Sequence, residues 1–259
     1  MAPAPFLVFG QMTESSHADQ MSLIVPAFNE ARTLELTIPR LLEAVGQDGE
    51  VIIVDDGSTD ETAAVASDAA RRSAALKLVS HDKNRGKGAA VRTGMLAASG
   101  GRRVFCDADV AYGLKGIAEV NSALESADVA IGSRKGNGRK LLTAHPVRAL
   151  ASRLFASVVR EVAIAGYEDT QCGLKGFTAA AAEDLFGRAQ IDGFGFDVEI
   201  LCLASASGYR IAEVPVEELE RLPGRRSSVR LVPAAAGMLK DVFAVRRNLR
   251  NESGGLPER

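Results

Sequence analysis

The sharpest chemical signal in the sequence is Asp107-Ala108-Asp109, which follows directly on the apolar run 103–106. Side chains two apart in an extended chain point the same way. Both carboxylates can therefore reach one cation, and hard oxygen donors suit magnesium or manganese, ions that pair one or two carboxylates with substrate phosphates. Alone, D-x-D is a weak signal and reads more often as an ordinary polar turn. A second acidic pair, Asp55-Asp56, ends the run 51–54 and precedes Gly57-Ser58. It reads either as a turn and helix cap or as acceptors for a ribose hydroxyl or a base edge. After the first apolar run, a turn at Pro26 in Pro26-Ala27-Phe28-Asn29-Glu30 leaves backbone groups free to meet a nucleobase, while Glu30 also fits the first turn of a helix. In Asn84-Arg85-Gly86-Lys87-Gly88 the glycines permit close backbone approach and the cations suit phosphate, although no Walker A pattern is present and a surface loop is the alternative.

These segments need a frame that brings them together. From Ser22 the chain alternates short apolar runs with helical patterns: strands at 23–25, 51–54, 76–79, 103–106 and 129–131, and helices at 34–45, from 59, at 89–98 and at 117–124. That alternation predicts a mostly parallel sheet flanked by helices in a single α/β domain. Ligands of such sheets bind outside the carboxyl ends of the strands, which is where the polar segments fall. Ser58 and Glu61 have the spacing of a capping box for the second helix, and Pro39 predicts a kink in the first. The second half reads as a long helix at 147–164, a glycine-containing segment at 169–177, a helix at 196–206, a strand at 210–214 and a helix at 234–247. Residues 1–20 read as a disordered lead-in, 21–250 as the domain and 251–259 as a flexible tail.

With 259 residues, 46% hydrophobic and 25% charged, the composition is that of an ordinary globular chain, and no apolar run reaches membrane-spanning length. Cys106, Cys172 and Cys202 are odd in number and lack paired spacing, and His17, His81 and His145 are scattered, which points to a reducing, cytoplasmic setting and away from zinc. A net charge of −2 gives no support to nucleic-acid binding. Basic residues do concentrate in two stretches, Arg134 to Arg160 and Arg221 to Arg250.

Taken in order and spacing, 25–30, 54–60, 84–88, 107–109 and Gly132-Ser133-Arg134 resemble family 2 glycosyltransferases. The segments 169–177 (DTQCGLKGF) and 196–200 (FDVEI) resemble the polyprenyl- and dolichyl-phosphate glucosyltransferase branch, and the similarity extends over 22–248. The resemblance implies a GT-A fold, a Rossmann-like arrangement, and a divalent cation, magnesium or manganese, at Asp107 and Asp109. It further implies that Pro26, Ala27, Glu30 and Asp56, with Asp55 beside them, serve the nucleoside, that Lys87 supports the donor, and that Arg134 and Gln171 face the phosphates or the acceptor. Ala111 stands where mannose-transferring relatives often carry Gln, which points to UDP-glucose rather than GDP-mannose.

The reaction so implied is inverting hexosyl transfer to a polyprenyl phosphate, whose oxygen is already ionised. A hydroxyl acceptor, on a small molecule or polysaccharide, is the alternative and requires a base, for which Asp197, Glu199 and Asp169 are the candidates. An inactive nucleotide-sugar-binding module is the third reading. The sequence shows neither the anchor helix nor the hydrophobic C-terminal helices of eukaryotic relatives, so membrane contact is expected to be peripheral, at the cytoplasmic face. The amphipathic stretch 147–164 and the basic segment 225–230 are its candidates.

Overall fold

The computed structural model describes residues 19–134, 167 and 169–219. Seven strands are present among them: β1 (Met21–Ala27), β2 (Glu50–Asp55), β3 (Leu76–Ser80), β4 (Arg102–Cys106), β5 (Val129–Ser133), β6 (Leu174–Thr178) and β7 (Ile211–Pro215). Six helices accompany them: α1 (Ala31–Val45), α2 (Thr62–Arg72), α3 (Lys87–Ala97), α4 (Gly113–Ala123), α5 (Ala179–Arg188) and α6 (Phe196–Ala206). The strands form one sheet in the order β3-β2-β1-β4-β6-β5-β7.

The sheet is covered on both faces, and the period of two along each strand divides its core. Ile24, Ile52, Val54 and Phe105 pack with α3, α5 and α6, whereas Leu23, Val25, Val51, Ile53 and Val104 pack with α1, α2 and α4. Burial on both sides explains why these strands read as continuous apolar runs. Pairing is parallel across β1–β2, β1–β4, β2–β3 and β5–β7. The exception is β6, antiparallel to both neighbours.

That exception decides the geometry of the site. Register pairs Cys106 with Leu174 and Ser133 with Pro215, so β4 and β5 end, and β6 begins, at the same edge of the sheet. The strand order reverses between β1 and β4, the kind of position at whose carboxyl edge ligands of such sheets bind.

Several expectations are corrected. The 169–177 segment ends in a strand, and a helix, α5, follows it, with Thr178 accepting from the Ala181 amide at its start. Ser58 and Glu61 form no capping box, because α2 begins at Thr62 without a side-chain cap. The polar groups of 58–62 instead serve the neighbouring loop: Ser58 Oγ accepts from Asn29 N, Thr62 Oγ1 from Glu30 N and Asp60 Oδ2 from Ala31 N. They satisfy the orphan amides at the start of α1, which runs unbroken through Pro39. Asp19 and Gln20, expected in the lead-in, are described, and Asp19 pairs with Arg102 at 2.9 Å. The remainder of the lead-in, the expected helices at 147–164 and 234–247, the basic segment 225–230 and the tail 251–259 lie outside the described residues.

At the opposite edge, Glu50 ties β1, β2 and the turn before β4 together. Its Oε1 accepts from Ser22 Oγ, Ser99 N and Ser99 Oγ at 2.6–2.8 Å, and its Oε2 faces Lys77 Nζ at 2.6 Å. Burial alone would raise the carboxyl pKa, but these partners outweigh it and hold it down to about 2. Stability from this group is therefore complete above the unfolded value and is lost as the pH falls toward 2. Glu50→Ala is expected to cost about 2–3 kcal/mol in urea denaturation at pH 7, since it strands several buried donors. The difference from wild type should shrink progressively between pH 5 and pH 2.

Candidate active site

Asp107 leaves the end of β4 half-exposed, and each of its oxygens meets a different element. Lys87 Nζ, from the first residue of α3, lies 2.6 Å from Oδ1. Gly173, just before β6, lies against Oδ2 so closely that a Cβ there would come within 2.3 Å of it. Asp109 stands two residues on, half-buried, with its Oδ1 enclosed by protein. The next residue, Val110, has φ of 50°, a conformation disfavoured for a β-branched side chain, and its amide closes a turn onto Asp107 O. Strain of this kind concentrates at functional sites.

Below Asp107 the ring of Phe105 carries two ammonium groups, Lys87 at 5.9 Å and Lys175 at 5.5 Å from its centroid. Lys175 is wholly buried and bonds both Asp197 Oδ1 at 2.5 Å and Cys172 O at 2.6 Å. Burial alone would depress the Lys87 pKa, but the charges of Asp107 and Asp197 outweigh it, so the ammonium is held above its usual value. Lys175 thus fixes the carbonyl of Cys172, immediately before Gly173, and Asp197 is its counter-ion.

At the end of β5, Arg134 grips Asp169 through Nε at 2.6 Å, Nη2 at 2.8 Å and its backbone amide at 3.1 Å. This fork raises the Arg134 pKa, and although burial would raise that of Asp169, the same bonds hold it below the ordinary carboxylate range. Gln171 follows in the same segment with its Nε2 buried and bonded to no group among the described residues. Glu199, buried on α6, accepts from the amides of Gln190 and Ile191. The buried Cys172 thiol is pushed up by its burial and is no nucleophile at neutral pH.

The remaining expected residues lie along the same edge with different tasks. Pro26 and Ala27 end β1, and Glu30 Oε2 accepts from Thr33. Asp55 Oδ1 accepts from Ser58 N at 3.2 Å. Asp56 is 3% exposed, and both its oxygens are engaged by the 84–88 loop, Oδ1 by Arg85 N at 2.9 Å and Oδ2 by Gly86 N at 2.8 Å. The structure therefore brings Lys87, Asp107, Asp109, Arg134, Asp169, Gln171 and Asp197 to one edge, and draws Asp56 into the support of Lys87. Two residues were missed by sequence reasoning, Lys175 and His81. The pattern of a lysine within an otherwise apolar strand was the available signal for the first.

Residues 22–181 match the family model for glycosyl transferase family 2. The chain belongs to that family. A dolichyl-phosphate beta-glucosyltransferase of Trichomonas vaginalis is 32% identical over 211 residues, covering 76% of this chain, and the chain covers 63% of that protein. One of Drosophila melanogaster is 34% identical over 225 residues, covering 80% of this chain and 69% of its own length. Among solved structures, glucosyl-3-phosphoglycerate synthase from Mycobacterium tuberculosis, in complex with Mn2+, UDP and glucosyl-3-phosphoglycerate, superposes with a TM-score of 0.64 at 20% identity, covering 95% of this chain and 87% of that one. The fold of this family 2 glycosyltransferase is accordingly GT-A. No helix among the described residues is long and apolar enough to cross a membrane.

No group of three or more His, Cys, Asp or Glu side chains converges among the described residues. A pair of carboxylates nonetheless fits magnesium or manganese, which complete their coordination from water and substrate phosphates. Asp107 is accessible to such an ion, its side chain being 35% exposed. Because Gly173 sets the position of Asp107, Gly173→Ala is expected to remain folded and to lower glycosyl transfer by about 100-fold. Steady-state kinetics beside a thermal melt check this, and an unchanged rate contradicts it.

Proposed function

We propose that the protein transfers glucose from UDP-glucose to a polyprenyl phosphate, with inversion at the anomeric carbon. The observation that carries this reading is the state of the three candidate bases. Asp169 is bound by Arg134, Asp197 by Lys175 and Glu199 by two backbone amides. A hydroxyl acceptor needs a base that those bonds oppose, whereas a phosphate acceptor arrives ionised and needs none. The similarity to dolichyl-phosphate beta-glucosyltransferases supports the same acceptor class.

In this reading the phosphate oxygen of the acceptor forms the new bond to the anomeric carbon as the bond to UDP breaks, and no proton moves. Asp107 and Asp109 would hold a divalent ion, which when bound would supply positive charge for the departing diphosphate. Lys87 is the residue that changes partner: its ammonium rests on Asp107 before the donor binds and turns to the diphosphate afterwards. Arg134 and Gln171 serve the acceptor phosphate, Arg134 held in place by Asp169. Pro26, Ala27, Glu30 and Asp55 border the nucleoside, and Asp56 contributes through the loop it holds. In this reading the protein meets the membrane peripherally, where a lipid-borne phosphate presents itself at the bilayer surface.

Transfer of radiolabelled sugar from UDP-glucose, and separately from GDP-mannose, to a short polyprenyl phosphate with magnesium or manganese tests the reading. Glycolipid from UDP-glucose is expected, falling by about 10²-fold or more in Asp109→Ala. Product from GDP-mannose alone overturns the donor assignment, and nucleotide binding without product from either donor overturns the acceptor.

A further inference from the structure

His81 takes no part in the chemistry described above, yet its ring is enclosed at the junction of three site elements. It follows β3 directly, its side chain is 6% exposed, and its backbone amide bonds to Asp55 O at 2.9 Å. Nδ1 lies 2.7 Å from Asp56 Oδ1, and Nε2 lies 3.0 Å from Thr93 Oγ1 on α3. Asp56 in turn binds the amides of Arg85 and Gly86. Gly86, with φ of 109°, immediately precedes Lys87, the residue whose ammonium meets Asp107.

Asp56, His81 and Thr93 have the connectivity of an acid–imidazole–hydroxyl triad. Enclosure rules out a nucleophilic role, since Asp56 and the ring are both buried and Asp56 has two further amides to hold. What the arrangement does is join the end of β2 to the body of α3 and to the turn that starts α3. A buried carboxylate accepting three bonds can hold a loop only while its own position is set, and the His81 ring sets it through Oδ1, the oxygen that also accepts from the Arg85 amide. Asp192 O packs so closely on Gly86 that a Cβ there would come within 2.4 Å, a second constraint on the turn.

We propose that His81 is a positioning residue for donor binding: through Asp56 it fixes the 85–86 backbone, and thereby the place from which Lys87 reaches the diphosphate. This inference rests on the donor reading above. The bond to Asp56 requires Nδ1–H to donate to the carboxylate, while the Thr93 hydroxyl, able to donate or accept, meets Nε2.

The test compares wild type with His81→Leu, which removes both bonds, and His81→Asn, whose amide keeps a donor near the Nδ1 position. Two quantities are measured below the melting temperature of each: amide hydrogen exchange at Arg85 and Gly86, and the affinity for UDP with Mn2+ by calorimetry. In His81→Leu, faster exchange at both amides and UDP affinity weaker by roughly tenfold are expected, the scale of one lost charge-assisted bond. His81→Asn is expected to recover most of each. A merely structural role would lower the melting temperature of the variants and leave the UDP affinity of the folded protein unchanged, which overturns the proposal, as does unaltered exchange at 85–86. If wild type itself binds no UDP, the donor reading fails first and the inference falls with it.

Discussion

The carboxylate of Asp107 is the point on which the site turns, because the proposed function requires it to meet a cation while it stands at the end of a strand buried from Arg103 to Cys106. One of its oxygens is held by Lys87 and the other is backed by Gly173. Each of those is fixed in turn by something deeper. Lys87 starts α3, whose first turn is held by Asp56, and Gly173 follows the carbonyl that Lys175 grips. The sheet supplies the convergence, since only an antiparallel β6 between β4 and β5 starts its chain where theirs end.

Charge is distributed along this edge in matched pairs. Lys87 with Asp107, Lys175 with Asp197 and Arg134 with Asp169 place three cations and three carboxylates within one region of low exposure. An unpaired ion there would carry a desolvation cost of several kcal/mol. Pairing offsets that cost, and under the proposed function the binding of a phosphate needs only an exchange of partners. The Lys175–Asp197 pair is buried beyond reach of any ligand and serves as a fixed support, whereas Lys87 and Asp107 remain partly exposed and able to part.

The parallel half of the sheet was legible because β1, β2 and β4 are buried on both faces and separated by helical patterns, so Leu23 to Val25 and Val51 to Val54 stand out as apolar runs. β6 was not, because Lys175 and Gly176 break its apolar character; Lys175 is in the strand to hold a turn, and Gly173 precedes it to admit a carboxylate. The α5 helix was missed although Thr178 and the alanines after it carry a start signal. The D-x-D pair, Lys87, Arg134 and Gln171 were singled out from residue types and family resemblance. What local patterns do not reveal is partnership across the chain. Ser58 reads as the cap of the helix that follows it and serves Asn29 instead. Asp56 reads as a ligand and spends both oxygens on a loop 29 to 30 residues away.

The central claim is that Asp107 is shared between Lys87 and a cation that enters with the nucleotide. Manganese binding followed by electron paramagnetic resonance, with and without UDP, tests it most directly. Weak binding of Mn2+ alone, strengthened more than about fivefold by UDP and abolished in Asp107→Asn, is the result expected of such coupling. Equal affinity with and without UDP, or binding indifferent to Asp107, would contradict the account.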